Sequence, residues 1–490
     1  MKYIIKLFPE ITIKSRPVRK QLIKQLKANL RNVLKRIDPK LTVTGQWDSV
    51  EVETASEDSV IVDQVTEALG HIPGIAYFLS VQKYPYESFD DTLEKAKALY
   101  GHEIEGKTLC VRVKRAGKHD FKSIDAERYL GGGLRQHCNA RGIDLKNPEI
   151  QINMEIRDQW LYLVHQKHPG LGGFPLGSQE SVLSLMSGGF DSTVASYLTM
   201  RRGIKTHFCF FNLGGKAHEL GVKEVSHYIW EKFGSSHGVK FVSVPFEGVV
   251  AEILEKVDNS YMGVVLKRMM YRAASAVAEK MELDTIVTGE SVAQVSSQTL
   301  KNLSVIDRVT DTLVLRPLVT THKQEIVDIA TEIGTYEFAA NMPEYCGVIS
   351  DKPTTKASMK RVLEVEEKFD FAVLEQALES LVIQHIKNVV EDFQQDVKVE
   401  EVTEISGETV VIDIRHPDEE EKSPLILDDQ TTDGMTVEKI PFYRLHSAFK
   451  EMSLTTEYLL YCDRGVMSQL HAQQLQADGY TNVKVFKKNN

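Results

Sequence analysis

The sequence predicts a multidomain chain, α+β in its first third and α/β beyond it, with a doubly wound parallel sheet at its centre. Three observations predict this. The chain has 490 residues, enough for about three or four domains. From residue 181 apolar runs alternate with helical stretches, the pattern of parallel strands joined by crossover helices. After an acidic segment the same strand-then-helix pattern returns near the C-terminus.

Taken in order, residues 3–8 alternate like a strand and 16–37 read as a basic amphipathic helix. Residues 50–53 read as a strand, 60–69 as a helix ending at Gly70, and Pro73-Gly74 as a turn. A helix near 90–100, the strand 108–115, a helix near 125–140 and strands at 150–156 and 160–165 form a second α+β unit. The Gly- and Pro-rich segment 168–178 reads as a linker or hinge. Strands are expected at 182–186, 205–211, 240–244, 285–288 and 313–315, with helices at 191–202, 218–233, 262–281 and 323–333. A polar helical stretch at 357–394 and an acidic segment at 395–408 lead to the strands 410–414 and 458–462.

Composition narrows the function. Hydrophobic residues make up 42% and charged residues 26%, as in a globular protein. No run of about 18 apolar residues is present, so no membrane span is expected. The N-terminus lacks the apolar core and cleavage site of a signal peptide, so the expected location is cytoplasmic. The five cysteines, Cys110, Cys138, Cys209, Cys346 and Cys462, form no CxxC, which excludes a predicted structural zinc site. The net charge of −10 hides a gradient: residues 1–40 hold twelve Lys or Arg against Glu10 and Asp38, and residues 391–422 hold twelve Asp or Glu against three cations. Such asymmetry points to a local polyanion site, although a solvated helix face explains the same charges.

The strongest motif is VLSLMSGGFDSTVASYL (182–198), an apolar strand, a glycine loop and an immediate helix. Gly188 and Gly189 let backbone N–H groups approach an oxyanion, the helix start adds free donors, and Ser187 and Ser192 add hydroxyls. GxxxxGK[ST] is absent, so this is no Walker A loop. SGGFDS instead resembles the PP-loop of ATP pyrophosphatases, which split ATP between the α- and β-phosphates and adenylate an oxygen. The resemblance implies that Leu185 and Met186 line the nucleotide site and that Asp191 assists adenylation or holds Mg²⁺. Lys267, in VVLKRMM, would neutralise phosphates, unless it is a surface helix lysine. Gly289, in TGES, would let adenine approach the backbone, and Gln298, in SSQT, resembles a further nucleotide contact. Lys323, in THKQEI after RPL, would stabilise developing negative charge, unless it is merely solvated.

A second motif delivers Cys462 from the strand EYLLY into the loop DRGVMS and a helix. Loop amides and a helix N-terminus there favour a thiolate. The loop, with VVIDIRHPDE (410–419) upstream, resembles the rhodanese active loop, whose cysteine carries a persulfide. Cys346, in NMPEYCGVIS, is a lone loop cysteine. Its place between an adenylating unit and a persulfide carrier implies a second thiol for sulfur release. Cys110, Cys138 and Cys209 read as packing residues. The basic unit KTLCVRVKRAGKHDFK (107–122), with Arg112, Lys114, Arg115 and Lys118, joins ERYLGGGL (127–134) to resemble the RNA-binding THUMP domain.

Together these motifs resemble the tRNA 4-thiouridine synthetases. The implied order is a ferredoxin-like unit over 1–60, THUMP over 61–165, a PP-loop pyrophosphatase over 175–394 and rhodanese over 404–490. The resemblance implies an ATP-dependent sulfurtransferase that converts uridine 8 of tRNA to 4-thiouridine, with ATP and Mg²⁺ as cofactors and no resident protein metal site. It implies tRNA, a cysteine desulfurase and the sulfur-carrier protein of thiamine synthesis as partners. Open alternatives are a sulfur relay acting mainly on a carrier protein, an ATP-binding RNA adaptor without turnover, and a thiolase of another tRNA base. Oligomeric state is open, a homodimer binding tRNA across both chains being the arrangement in related enzymes.

Overall fold

The computed structural model describes residues 1–46, 49–213, 216–340, 342, 352–389, 399–403, 409–415, 420, 423–425, 436–441, 445, 448–462, 466–477 and 479–488. The chain divides into two compact units, one being Met1–Gln179 with Met200–Ile204 and Lys232–His237, the other the remainder. No helix among the described residues is long and apolar enough to cross a membrane.

The first unit runs β1 (Lys2–Leu7), α1 (Pro9–Thr12), α2 (Arg16–Leu34), β2 (Thr42–Gln46), β3 (Ser49–Glu53), α3 (Ser59–Gly70), β4 (Ile75–Pro85), α4 (Phe89–Ile104), β5 (Thr108–Ala116), α5 (Ser123–His137), β6 (Gly142–Ile143), β7 (Ile150–Arg157) and β8 (Trp160–Gly172). All eight strands join one sheet, in the order β2-β3-β1-β4-β8-β7-β5-β6. Two cores form on it. Leu22, Leu26, Leu30 and Leu34 recur at helical spacing on α2 and bury with Val65 and Leu69 of α3 among residues of β1–β4. Leu93, Ala96 and Tyr100 of α4 and Leu130 and Leu134 of α5 bury with residues of β5, β7 and β8.

The segment expected as a linker or hinge is partly strand. Its first half belongs to β8, which pairs antiparallel with β4 as far as Ile75↔Gly172. The glycines there serve close approach. A Cβ on Gly170 would lie 2.4 Å from the Ile75 carbonyl oxygen, and one on Gly173, whose φ is +72°, would lie 1.8 Å from the Arg201 carbonyl oxygen.

The second unit continues with β9 (Gln179–Met186), α6 (Phe190–Arg201), β10 (Ile204–Asn212), α7 (Lys216–Ile229), β11 (Lys240–Pro245), α8 (Glu247–Lys256), α9 (Met262–Lys280), β12 (Thr285–Val287), α10 (Leu300–Ile306), β13 (Leu313–Leu315), α11 (Lys323–Glu332), α12 (Tyr336–Ala340), α13 (Met359–Glu366), α14 (Ala372–Glu379) and β14 (Val382–His385). The sheet order is β13-β12-β9-β10-β11-β14. After β9 the chain builds outward through β10 and β11, then returns to lay β12 on β9's other side. That reversal makes the C-terminal ends of β9 and β12 a topological switch point, where open α/β sheets bind ligands.

The single polar helix expected over 357–394 is instead α13, α14 and the strand β14, which pairs antiparallel with β11. The β-branched pair Val382-Ile383 suits a strand, and β11 offers an edge for it to cover. The last part holds β15 (Glu401–Val402), β16 (Thr409–Asp413), β17 (Thr436–Lys439), β18 (Glu457–Tyr461), α15 (Val466–Ala477) and β19 (Val483–Phe486). They form a parallel sheet in the order β15-β19-β18-β16-β17. Ile412, Leu460, Leu475 and Val485 lie in its core.

Candidate active site

The loop Ser187-Gly188-Gly189 leaves β9 and enters α6 at the switch point. Gly188 has φ +82°, a conformation that favours glycine. The Ser192 hydroxyl donates to the Gly189 carbonyl at 3.2 Å and accepts from the Ser187 N–H at 3.2 Å, pinning the loop to the first turn of α6. The Ser187 and Ser192 hydroxyls lie 3.1 Å apart. Nε2 of His218, on α7, lies 3.1 Å from the Ser187 carbonyl oxygen, so this nitrogen carries the proton. Burial pushes the His218 pKa below its ordinary value, against the opposing pull of that carbonyl.

A cleft of about 150 Å³ opens here, lined by Leu185, Met186, Ser187, Asp191, Ser192, Lys267, Gly289 and Gln298. Phe210, Phe211, His218, Met270, Tyr271, Thr288 and Glu290 complete much of its wall. The mixed lining, mostly apolar with a few convergent polar and charged groups, fits a small-molecule site. Gly188 and Gly189 shape the loop without lining the cleft. Gly289 also makes room for the chain itself: a Cβ there would lie 2.5 Å from the Asp191 carbonyl carbon and 2.6 Å from the Ser192 nitrogen. Its missing side chain lets the end of β12 meet the start of α6.

Asp191 and Lys323, 132 residues apart, meet at this site. Lys323 Nζ donates to both carboxylate oxygens of Asp191, at 3.1 and 3.0 Å. Gln294 Nε2 donates to Oδ2 of the same carboxylate at 2.9 Å. The ammonium also lies 5.3 Å from the centre of the Phe190 ring. Beneath them is a buried ionic network. Glu290 Oε2 accepts from the Tyr271 hydroxyl at 2.5 Å, Arg316 Nε at 2.9 Å and the Thr288 hydroxyl at 3.1 Å. Arg316 also bonds Asp307. Burial pushes the Glu290 carboxyl up, but Lys267, Tyr271 and Arg316 together outweigh it and hold its pKa below the usual value.

In the C-terminal sheet, Cys462 follows β18 and is 8% exposed. Its sulfur accepts from the Ser468 N–H at 3.3 Å, in the first turn of α15, and lies 3.4 Å from the Ser468 hydroxyl. Beside it on β16, Asp413 takes a two-pronged contact from Arg415, at 2.9 and 2.6 Å, both side chains 2% exposed. The Arg415 guanidinium faces the Tyr461 ring at 5.1 Å. Cys346 lies outside the described residues. Cys110 and Cys209 are buried, and burial pushes both thiols up.

On β5, Val111 and Val113 face the core while Lys114, Arg115 and Lys118 are exposed and Arg112 is half-buried. Arg112 donates to the Leu145 carbonyl at 2.9 Å and Arg115 to the His119 carbonyl at 3.1 Å. On α2, Arg19, Lys20, Lys24, Lys27 and Arg31 line a second, strongly basic groove.

Residues 2–78 match the ThiI ferredoxin-like domain, 86–165 the THUMP domain, and 177–371 the family described as thiamine biosynthesis protein (ThiI). Over 487 residues the chain is 59% identical to a tRNA sulfurtransferase of Pseudomonas aeruginosa (strain UCBPP-PA14), covering 99% of this chain and 100% of that one. The chain belongs to the tRNA sulfurtransferase family. The tRNA sulfurtransferase of Azotobacter vinelandii is 57% identical with the same coverage. Its fold is shared with a crystal structure of a 4-thiouridine synthetase–RNA complex with bound ATP, at a TM-score of 0.69 and 25% identity, covering 78% of this chain and 99% of that one.

For a sulfurtransferase of this family, sequence reasoning missed Gln294, His218 and the Glu290 network. A signal existed for part of it. Tyr271 follows Lys267 by four residues on α9, which places both on one helix face. Glu290 and Arg316 sit inside TGES and RPL, at the ends of β12 and β13. Gln294 and His218 carry no pattern of their own.

Proposed function

We propose that this chain binds ATP in the cleft above β9 and β12, adenylates O4 of a tRNA uridine and installs sulfur from Cys462. The meeting of Asp191 and Lys323 at the PP-loop carries this reading. The uracil oxygen attacks the α-phosphorus and pyrophosphate leaves. Loop N–H groups, Lys267 and Lys323 would hold the phosphates and absorb the charge that develops. Among the described residues no cluster of three or more His, Cys, Asp or Glu could hold a metal. Mg²⁺ would fit as Mg·ATP, with Asp191 a carboxylate available to hold it, since Mg²⁺ binds through few carboxylates plus phosphate oxygens. Bound there, it would add neutralising charge.

Adenylation turns a poor leaving group at C4 into AMP. A desulfurase would load Cys462, in a rhodanese-like unit, with a persulfide. Its outer sulfur attacks C4 and AMP departs, leaving the base joined to Cys462 through a disulfide bond. The Cys346 thiolate then attacks the Cys462 sulfur. The 4-thiouridine leaves as the thiolate, and a Cys346–Cys462 disulfide remains for a dithiol reductant. Cys346 follows Met342 by four residues, a span of at most about 14 Å. Met342 itself lies against Gly188 of the loop. The exposed cations of β5 would position tRNA through phosphates, with uridine 8 the target implied by the resemblance.

The thiamine description of the matched family supports a second activity, sulfur transfer to the carrier protein of thiamine synthesis. Mass spectrometry of tRNA nucleosides from cells lacking the protein tests the main reading. The expected result is loss of 4-thiouridine alone, restored by the wild-type gene. Unchanged 4-thiouridine would refute it, and a thiamine requirement without tRNA change would favour the carrier reading.

A further inference from the structure

Glu290 is a carboxylate 3% exposed in the wall of the nucleotide cleft. Its two oxygens are used unequally. Oε2 accepts three hydrogen bonds, from Tyr271, Arg316 and Thr288. Oε1 is buried and has no hydrogen-bond partner. An ionised oxygen in that state is costly unless something compensates it. The three donors to Oε2 fix the carboxylate's orientation and so fix where Oε1 sits.

Lys267 lines the same cleft. Its charge is among the influences that hold the Glu290 carboxyl below its usual pKa, against burial, which raises it. Yet among the described residues no hydrogen bond joins the two. The next residue along the chain from Gly289, whose missing side chain admits the backbone of Asp191, is Glu290 itself. A shift of Glu290 would therefore be felt at the end of β12, against the start of α6.

We infer that Glu290 is a positioning residue for adenylation, its spare oxygen reserved for the Lys267 ammonium, so that the lysine is held between this carboxylate and the phosphates of ATP. This rests on reading the cleft as the ATP site. A long, flexible lysine tethered at one side by a fixed carboxylate loses less freedom when it meets the transition state. Tyr271, Thr288 and Arg316 act one step further back, by fixing Glu290.

The test is a double-mutant cycle with Glu290→Gln and Lys267→Met, reading tRNA-dependent pyrophosphate release, ATP affinity by calorimetry and thermal midpoint. Glu290→Gln leaves the lysine cationic, so KM for ATP should stay within about threefold while kcat falls about 10- to 100-fold, the range of one charge-assisted hydrogen bond. The double variant should be no slower than Lys267→Met alone, within about twofold. Multiplied losses in the double variant would overturn the inference, as would a raised KM with unchanged kcat. A merely structural Glu290 would lower the thermal midpoint and multiply with Lys267→Met. Should Glu290→Gln not fold, Glu290→Asp keeps a charge for Arg316 while withdrawing it from Lys267, and the same cycle decides. Failure of wild-type protein to bind ATP would refute the reading of the cleft, whereas additivity concerns Glu290 alone.

Discussion

The cleft above β9 and β12 and the basic strand β5 both present cations, yet they hold them in opposite ways. In the cleft two cations are held by carboxylates: Lys323 by Asp191, and Arg316 by Glu290 and Asp307. On β5 and the loop after it, Lys114 and Lys118 stand in solvent, while Arg112 and Arg115 donate to backbone carbonyls, Arg112 also lying 4.0 Å from Glu127. Fixed charge suits a reacting centre, where groups must be in place before charge develops. Loose, solvated charge suits a polyanion whose shape is met by many weak contacts. The two regions should fail differently when altered.

The largest effect is expected at Asp191. Asp191→Ala removes the partner of both Lys323 and Gln294 and should lower pyrophosphate release by about 10³-fold or more, in the range of lost electrostatic groups. Affinity for tRNA should change less than about twofold. Parallel measurement of pyrophosphate and of tRNA binding checks this, and normal pyrophosphate release would break the contrast at its strongest point.

The two thiols come next. Cys462→Ala should lose persulfide loading from a desulfurase and all thiolation with that donor. Cys346→Ala should load Cys462 normally and stop after about one turnover. Peptide mass spectrometry of enzyme turned over without reductant should show a Cys346–Cys462 peptide. If thiolated tRNA accumulates and no such peptide forms, the second thiol has no part in the reaction.

Why some of this was legible and some was not follows from the residues. The strand–loop–helix around SGGFDS is local, so its pattern survives in the sequence, and so does EYLLYC with its following helix. The pairing of Asp191 with Lys323 spans 132 residues. Sequence motifs named both ends but could not join them, because the strand order β13-β12-β9 is what brings them together. The glycines at 170–173 hid the end of a strand, because close approach between strands and freedom to bend ask for the same residue. The approach of Gly289 to the start of α6 was hidden likewise, since a missing side chain does not say what fills its space. Glu290 was hidden by its burial, for an acid after a strand reads like any loop acid until its donors are seen.

On β5, reversing Arg112, Lys114 and Lys118 together to Glu should weaken tRNA binding strongly and flatten its salt dependence. Each lost phosphate contact should reduce the log–log slope by roughly 0.7–0.9. Pyrophosphate release at saturating tRNA should be nearly unchanged. Binding titrated across several salt concentrations measures this. A full slope in the triple variant would mean that these side chains do not meet phosphate, and the basic groove on α2 would become the better candidate.

The smallest effect sharpens the comparison most. Lys323 is about half-exposed, with 49% of its side chain open and 25% of Asp191's. An ion pair in that setting contributes about 0.2–1 kcal/mol to stability. Lys323→Met should therefore leave the thermal midpoint almost in place while adenylation falls as far as in Asp191→Ala. The Arg268–Glu366 pair of the same unit, with side chains 1% and 5% exposed, is the control. Removing Arg268 leaves the buried Glu366 only Arg272, at 3.4 Å, so the cost should approach the roughly 3–5 kcal/mol of a broken buried pair. A Lys323→Met variant that unfolds as readily as Arg268→Met would show the Asp191–Lys323 contact to be architectural. Intact stability with lost adenylation would show that the pair is kept for its chemistry.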